Sequence, residues 1–278
     1  MDTKWIIYTD LDGTLLDFTT YSFEVSAETV FQLKELNIPL IFCSSKTRVE
    51  QEVYRNALKL DTPFIVENGS AVLIPESFFD YDPNVEKVSN YQINKSENYQ
   101  AVLLGQSAAY VRTIIAEARE KAGITPRGYA DLSIEEVMQV TGLSREAAQR
   151  AATRDYSETL LKGTTAGTEW DHFLHLLDQK GLQCVSGGKF HTVMGKGSDK
   201  GKAVSLLNNL LRKKYGEIQT VGLGDSANDL PLLAAVDLPF LVQKPSGKWQ
   251  EVNDTRIKKV DAVGPAGFKL AIGTFLNL

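Results

Sequence analysis

The chain has 278 residues, a length that suits one large domain or a main domain carrying an insertion. Its formal net charge of −5, from 30 Lys and Arg against 35 Asp and Glu, creates no overall positive field for nucleic acid or an anionic membrane. A hydrophobic fraction of 43% is ordinary for a globular chain, and no apolar run approaches the ~18 residues that a membrane span needs.

Cysteine content and the N-terminal sequence bear on the cellular compartment. Cys43 and Cys184 are too few for a disulfide framework or a structural zinc site. The first residues lack the apolar core and the cleavage site of a signal peptide. We therefore expect a soluble, cytoplasmic protein that binds neither nucleic acid nor a membrane.

The first 80 residues alternate short apolar strands with amphipathic helices. Apolar runs at 5–9, 38–43 and 64–66 predict buried strands, and the periodic segments 27–36 and 49–60 predict helices between them. The order strand, helix, strand is typical of a parallel α/β sheet.

A different pattern begins near Pro83 and ends near Gly195. The predicted elements of this stretch are a strand at 100–104, helices at 108–121, 134–140, 144–152 and 170–179, and strands at 182–186 and 190–194. The first pattern then returns, with a helix at 203–211, a strand at 220–223 and a helix at 231–236. The sequence thus predicts an α/β fold with a Rossmann-like, mostly parallel sheet core formed by residues 1–84 and 196–278, interrupted by an α+β insertion at 85–195.

Two acidic clusters directly follow predicted strands. Asp10-Leu11-Asp12-Gly13-Thr14 comes after the first strand, and Gly224-Asp225-Ser226-Ala227-Asn228-Asp229 comes after the strand at 220–223. A lone Asp-x-Asp is also common in ordinary turns, but two such clusters at strand ends should share the ligand crevice of a parallel sheet. Oxygen ligands without His or Cys at ligand spacing favour a hard cation such as Mg²⁺.

A hydroxyl and an ammonium group complete an anion-binding set. Ser44-Ser45-Lys46 follows the second strand, and Lys200-Gly201-Lys202 begins a helix. A carboxylate cannot approach a phosphate dianion unless cations first neutralise the repulsion. These residues therefore favour phosphate chemistry.

These four motifs, in this order, resemble those of the haloacid dehalogenase superfamily of aspartate-nucleophile phosphatases. The resemblance implies that Asp10 is the nucleophile, forming an aspartyl phosphate, and that Asp12 is the general acid and base. It further implies that Ser44 holds the transferring phosphoryl group and that Lys200 neutralises charge on that group and on Asp10.

The same resemblance implies a Mg²⁺ site. Asp10, Asp12 and Asp225 would be its ligands. Asn228 and Asp229 would support the metal, its waters or Lys200.

The insertion resembles a C2-type cap, and its local sequence is similar to the mannosyl-3-phosphoglycerate phosphatase family. The matching segments are 67–69, 134–143, 154–158, 187–191 and 198–202. Lys189 departs from the family pattern, in which Arg is expected before the Phe, so bidentate recognition of a carboxylate or phosphate is in question there. The implied substrate is mannosyl-3-phosphoglycerate, with glucosyl-3-phosphoglycerate as a related candidate.

Candidate substrate-binding residues follow from this resemblance and from position in the crevice: Ser45, Lys46, Arg154, Glu158, Gly188, Lys189 and His191. Arg154 and Glu158 have i, i+4 spacing, so an exposed helical ion pair is an alternative for them. His172 and His175 have a spacing that metals use, but their apolar neighbours favour a packed helix face.

Two alternatives remain open. One is another sugar-phosphate phosphatase or a phosphomannomutase-like phosphotransferase of the same superfamily. The other is a non-catalytic ligand-binding protein on this scaffold. The expected partner is a small phosphorylated glycosyl-glycerate, and the sequence leaves open the oligomeric state and the choice between manno and gluco substrates.

Overall fold

The structure is a computed structural model that describes residues 3–79, 92–95, 98–163, 165, 167–187 and 190–276. Its strands are β1 (Lys4–Thr9), β2 (Leu40–Phe42), β3 (Phe64–Val66), β4 (Ala71–Pro75), β5 (Gln92–Lys95), β6 (Tyr99–Leu103), β7 (Arg127–Gly128), β8 (Ser157–Leu161), β9 (Leu182–Gly187), β10 (Phe190–Gly195), β11 (Ile218–Gly224), β12 (Leu238–Gln243) and β13 (Lys258–Val263). Its helices are α1 (Glu24–Glu35), α2 (Arg48–Ala57), α3 (Ala108–Ala122), α4 (Ile134–Thr141), α5 (Arg145–Ala152), α6 (Gly167–Gln179), α7 (Lys200–Tyr215), α8 (Leu230–Ala234) and α9 (Gly264–Leu276).

A parallel sheet with the order β13-β12-β11-β1-β2 forms the centre of the core. Ile7 on β1 packs in one cluster with Phe268 of α9, whereas Ile6 and Tyr8 pack in another with Leu207 of α7. Both faces of β1 are therefore buried under helices, which is the usual environment of a parallel strand. The predicted Rossmann-like α/β core is confirmed.

The sheet continues past β2 through antiparallel strands. An isolated parallel bridge joins Cys43 to Ile65 of β3, and β3, β4, β6 and β5 then pair in that order. Val102 and Leu103 of β6 pack in the same hydrophobic clusters as β1. The strands β5 and β6 thus extend the core sheet.

The inserted unit, called the cap below, is an α+β layer. Its antiparallel sheet has the order β7-β8-β10-β9, and α3 and α6 pack on it through a cluster that includes Val111 and Phe173. The helices α4 and α5 form a smaller cluster with Tyr129 and Phe190. A capping box begins α4, because Ser133 and Glu136 exchange side-chain to backbone hydrogen bonds.

The chain crosses between core and cap at two neighbouring points. A Cβ on Gly195 would lie 2.8 Å from the Cα of Gly105, so the two connections run side by side. The predicted first boundary, between residues 84 and 85, lies outside the described residues. Because β5 and β6 pair with the core after that boundary, we propose that the inserted unit begins after β6, while its end stays at the predicted residue 195, the last residue of β10.

Two local expectations are wrong. Arg154 follows the end of α5 and Glu158 lies on β8, so they do not form a helical i, i+4 pair. His172 and His175 are exposed on α6, whose packed side carries Phe173 instead.

As for membranes, each helix among the described residues falls short of the length and apolar character needed to cross a bilayer.

Candidate active site

Two strand ends bring the acidic clusters together. Thr9 of β1 lies in register with Leu223 of β11, and the backbone N–H of Asp10 donates to the Leu223 carbonyl at 2.9 Å. Asp10 and Asp225 therefore emerge from adjacent parallel strands at the same edge of the sheet, as the sequence predicts. Their carboxylates are almost completely buried.

Lys200 is the buried cation at this edge. It is the first residue of α7, where the Asp199 side chain caps the helix by accepting from the Lys202 N–H at 2.8 Å. The Lys200 Nζ lies 2.5 Å from Asp10 Oδ1 and 2.6 Å from Asp229 Oδ1. Burial opposes the charge on Lys200, but these two carboxylates outweigh it and raise its pKa above the ordinary value.

Asp229 has a larger part in the site than the sequence predicts. Its Oδ2 accepts from the backbone N–H groups of Asp225 and Ser226, each at 3.0 Å, while its Oδ1 accepts from Lys200. The side chain is fully buried. Asp229 thus orders the acidic loop and orients Lys200. Asn228 of the same loop donates to Asn68 Oδ1 at 3.1 Å, within the core.

Three carboxylates at this edge can share a cation. Oxygens of Asp10, Asp225 and Asp229 lie within 4.8 Å of one another. Asp225 Oδ1 is buried and has no hydrogen-bond partner among the described residues. Burial and the charge of Asp229 raise the pKa of Asp225 to about 7 and also raise that of Asp10. With one lysine against three carboxylates, the ionised cluster lacks positive charge, and this oxygen donor set fits a hard divalent cation.

Asp12, the third predicted metal ligand, has its carboxylate outside this cluster. Its Oδ1 lies 3.0 Å from the Nζ of Lys46, which also lies 3.5 Å from Glu50 Oε1. Burial raises the pKa of Asp12, and Lys46 opposes that shift. Asp10 and Asp12 therefore have different lysine partners, and separate environments are what allow two nearby carboxylates to take separate roles.

The loop after β2 contributes Ser44 and Ser45. Ser44 is buried, and its Oγ accepts from the Lys46 N–H at 3.3 Å. The loop lies beside β1, because the Cys43 N–H donates to the Thr9 carbonyl at 2.9 Å. Ser44 therefore reaches the predicted edge of the sheet next to Asp10.

The structure places the cap candidates in varied surroundings. Arg154 is buried and donates to Ser157 Oγ at 2.8 Å and to the Ser45 carbonyl at 3.2 Å. Glu158 is buried too and accepts from Arg112 Nε at 2.6 Å. Both side chains are thus engaged by protein groups.

His191 lies on β10. Its Nδ1 is 3.0 Å from Ser186 Oγ, and its ring contacts Trp170 with centroids 5.0 Å apart. Partial burial and the charge of Lys162 lower the pKa of His191. The remaining two candidates, Gly188 and Lys189, lie outside the described residues.

A cavity of about 360 Å³ separates the core from the α4–α5 part of the cap. Its lining residues are Thr19, Thr20, Tyr21, Lys46, Glu50, Val53, Tyr54, Gly142, Leu143, Ser144, Ala147 and Arg150. Lys46 connects this cavity to Asp12. Sequence reasoning missed Tyr21, Tyr54 and Arg150, and the only sequence signal near them was the segment 134–143, which ends at this cavity.

Comparison with known proteins finds relatives over most of the chain. Residues 7–264 match the family described as haloacid dehalogenase-like hydrolase. The chain is 42% identical to the glucosyl-3-phosphoglycerate/mannosyl-3-phosphoglycerate phosphatase of Methanococcoides burtonii, covering 97% of this chain and 96% of that protein. It is 35% identical to the mannosyl-3-phosphoglycerate phosphatase of Pyrococcus horikoshii, covering 85% and 90% respectively.

Solved structures share the fold at low sequence identity. The sucrose-phosphatase of Synechocystis, in complex with sucrose and phosphate, superposes with a TM-score of 0.60 at 15% identity, covering 99% of this chain and 98% of that one. A Thermoplasma acidophilum protein gives a TM-score of 0.65 at 14% identity, covering 100% of both chains. From the family match and the full-length relatives, the chain belongs to the haloacid dehalogenase-like hydrolases and, among them, to the mannosyl-3-phosphoglycerate phosphatase family.

Proposed function

We propose that this protein is a Mg²⁺-dependent phosphatase that hydrolyses mannosyl-3-phosphoglycerate, glucosyl-3-phosphoglycerate or both, releasing the glycosylglycerate and phosphate. The observation that carries the proposal is the buried group of Asp10, Asp225 and Asp229, in which Asp10 and Asp229 contact the Nζ of Lys200. The Methanococcoides burtonii relative is named for both substrates, and the Pyrococcus horikoshii relative is named for mannosyl-3-phosphoglycerate.

The chemistry divides between the two carboxylates of the first motif. Asp10 attacks phosphorus, and the bond from phosphorus to the glycerate oxygen breaks while Asp12 gives that oxygen a proton. Asp12 then takes a proton from a water that attacks the aspartyl phosphate, which frees phosphate and restores Asp10. The raised pKa of Asp12 suits the first of these transfers.

Positive charge must offset the phosphoryl group throughout. Lys200 contacts Asp10 directly and can extend the same ammonium group toward a phosphoryl oxygen, while the Ser44 hydroxyl can donate to another. Mg²⁺ held by Asp10, Asp225 and Asp229 would supply further charge neutralisation when bound.

The cavity beside Asp12 supports a glycosylated substrate. The oxygen that Asp12 protonates carries the rest of the leaving group, which must extend into adjacent space. The cavity offers that space, with Lys46 and Arg150 suited to a glycerate carboxylate and Tyr21 and Tyr54 suited to sugar hydroxyls. This arrangement favours a leaving group larger than a simple alcohol.

The Asp10→Asn variant tests the reaction. We expect phosphate release from mannosyl-3-phosphoglycerate with Mg²⁺ to fall by about 10³-fold or more, because an amide cannot serve as the nucleophile. Asp261→Asn is a control, since this exposed carboxylate accepts a surface hydrogen bond from Gln243. Near-normal activity of Asp10→Asn would contradict the aspartyl-phosphate mechanism.

A substrate series tests the specificity. kcat/KM is measured for mannosyl-3-phosphoglycerate, glucosyl-3-phosphoglycerate, 3-phosphoglycerate and mannose 6-phosphate. We expect the glycosylated pair to exceed the simple phosphates. Equal or better turnover of the simple phosphates would overturn the substrate while leaving the phosphatase chemistry intact. Phosphoryl transfer without net phosphate release would indicate a phosphotransferase, and ligand-induced thermal stabilisation without turnover would indicate a binding protein.

A further inference from the structure

Glu67 is a buried carboxylate to which the chemistry above gives no task. It follows β3 in the turn Glu67–Gly69, and its side chain is fully buried. Its φ is 49° and that of Asn68 is 58°, so two consecutive residues other than glycine have left-handed backbone. Such conformations persist only where surrounding contacts hold them, and they concentrate at functional sites.

On the core side, the turn is attached to two of the catalytic loops. The Glu67 N–H donates to the Lys46 carbonyl at 3.1 Å, and the Asn68 N–H donates to the Ser44 carbonyl at 3.0 Å. The Asn68 side chain accepts from Asn228 in the acidic loop. The turn therefore holds the backbone of the phosphoryl-binding loop and touches the loop of Asp225.

The same turn lies against the helix that carries Lys200. Gly69 has a φ of +89°, and a Cβ there would lie 2.2 Å from the Asp199 carbonyl oxygen and 2.7 Å from the Lys200 nitrogen. Glycine is thus required both for the backbone conformation and for this close approach.

On the cap side, the Glu67 carboxylate accepts hydrogen bonds from one short segment, residues 155–157. Its Oε1 accepts from the Asp155 N–H at 2.8 Å, and its Oε2 accepts from the Tyr156 N–H at 3.2 Å and from the Ser157 hydroxyl. Arg154 lies 3.6 Å from the carboxylate and also donates to the Ser45 carbonyl. One core carboxylate therefore orders cap residues 154–157, and Arg154 in turn contacts the Ser44–Lys46 loop through the Ser45 carbonyl.

We propose that Glu67 is a positioning residue that couples the position of the cap on the core to the geometry of the phosphoryl-binding groups. Its carboxylate holds the cap segment at the turn that also holds the Ser44–Lys46 loop and abuts the start of α7. The kinetic part of this inference rests on the proposed function, because it concerns turnover. Hydrogen bonds to a buried charge are strong, and loss of one partner leaves the others unpaired.

The Glu67→Gln variant tests the coupling through turnover. We expect kcat for the glycosylated substrate to fall by about 10- to 100-fold, the equivalent of one hydrogen bond to a charged group, with a smaller change in KM. A purely structural role would lower the unfolding temperature and leave kcat of the folded protein within about twofold. Asp237→Asn is the control for the hydrogen-bond pattern, because that exposed carboxylate, just before β12, also accepts from a backbone N–H and a hydroxyl, both of Thr220 on β11. Unchanged kcat in Glu67→Gln would overturn the proposal.

A second variant guards against failure of Glu67→Gln to fold. Ser157→Ala removes one cap-side partner and should lower kcat several-fold. The double variant should lose no more than Glu67→Gln alone, because both changes break the same linkage. If the fold decreases in kcat of the two single variants multiply in the double variant, the coupling is contradicted.

A measurement without turnover separates this inference from the proposed function. Coupling is reciprocal, so inorganic phosphate with Mg²⁺ should slow hydrogen exchange at the Asp155 and Tyr156 amides of the wild type and not in Glu67→Gln. p-Nitrophenyl phosphate provides a second readout of turnover if the glycosylated substrates are not hydrolysed. If the wild type hydrolyses none of these substrates, the proposed function alone is refuted. If phosphate and Mg²⁺ do not change hydrogen exchange at these amides in the wild type, the role of Glu67 is refuted.

Discussion

The core edge and the cap use charge in different ways. At the core edge, Lys200, Asp10 and Asp229 are buried together and their side chains contact one another directly. In the cap, Arg127–Glu136 and Arg145–Glu135 are ion pairs with about half-exposed partners. Buried charges interact strongly and tolerate little change, whereas exposed pairs contribute ~0–1 kcal/mol and can be altered freely. Under the proposed function, the core edge would carry the reaction chemistry and the cap surface toward the cavity would set specificity.

Lys200→Met should break this comparison most severely. Removing the ammonium leaves Asp10 and Asp229 buried without their cation, so we expect kcat to fall by about 10²- to 10³-fold and stability by about 3–5 kcal/mol. Phosphate release and urea unfolding measure the two effects. Lys202→Met, at an exposed position in the same helical turn, should change neither appreciably. Normal turnover in Lys200→Met would show that the buried cation is dispensable.

The pH dependence of metal-free protein should sharpen the comparison. The pKa of Asp225 is raised from 3.8 to about 7, so the native state binds more protons than the unfolded state between these values. Its contribution makes stability fall as pH rises from about 4 to about 7. Mg²⁺ should oppose this loss, so the increase in Tm caused by Mg²⁺ should grow as pH rises through 7. Asp225→Asn should weaken both the fall in stability with pH and the growth of the Mg²⁺ effect with pH. An equal increase in Tm on adding Mg²⁺ at pH 5 and pH 8 would contradict the metal site.

Arg150→Gln tests whether the cavity sets specificity. Loss of a cation that meets a glycerate carboxylate should raise KM for the glycosylated substrates by about tenfold. Turnover of p-nitrophenyl phosphate should stay within about twofold, because that substrate has no carboxylate. Arg145→Gln, on the same helix but paired with Glu135 at the surface, serves as the control. Equal losses on both substrates in Arg150→Gln would exclude a specificity role.

Ser133→Ala should have the smallest effect. The hydroxyl accepts from the Glu136 N–H at the start of α4, and its loss should cost about 1 kcal/mol of stability. Because the cap helix start lies outside the catalytic group, kcat should not change. A marked loss of kcat would show that the cap surface and the core edge are less independent than their contacts indicate.

Local patterns predicted most of the framework and the core of the site. Apolar runs and helical periodicity located the strands around β1 and β11, and acidic clusters at their ends indicated a common edge. This works because a parallel sheet brings the carboxyl ends of its strands together whatever lies between them in sequence. Resemblance to a family added roles for Asp10, Asp12, Ser44 and Lys200.

Other features depended on approaches between distant segments. Glu67 and Asp155 are separated by 88 positions in the chain, and Arg154 and Ser45 by 109, so no local pattern could pair them. The composition change near Pro83 suggested an early cap boundary, although β5 and β6 return to the core sheet.

The sequence by itself determined the α/β class, the strand ends that carry the acidic groups and the presence of an inserted unit, because each depends on residues close together in the chain. Only the tertiary structure decided that Lys46 pairs with Asp12, that Asp229 joins the carboxylate cluster and that Glu67 binds the cap. These three results depend on long-range packing, which sets the distance, burial and pairing of charges, and local sequence specifies none of these quantities.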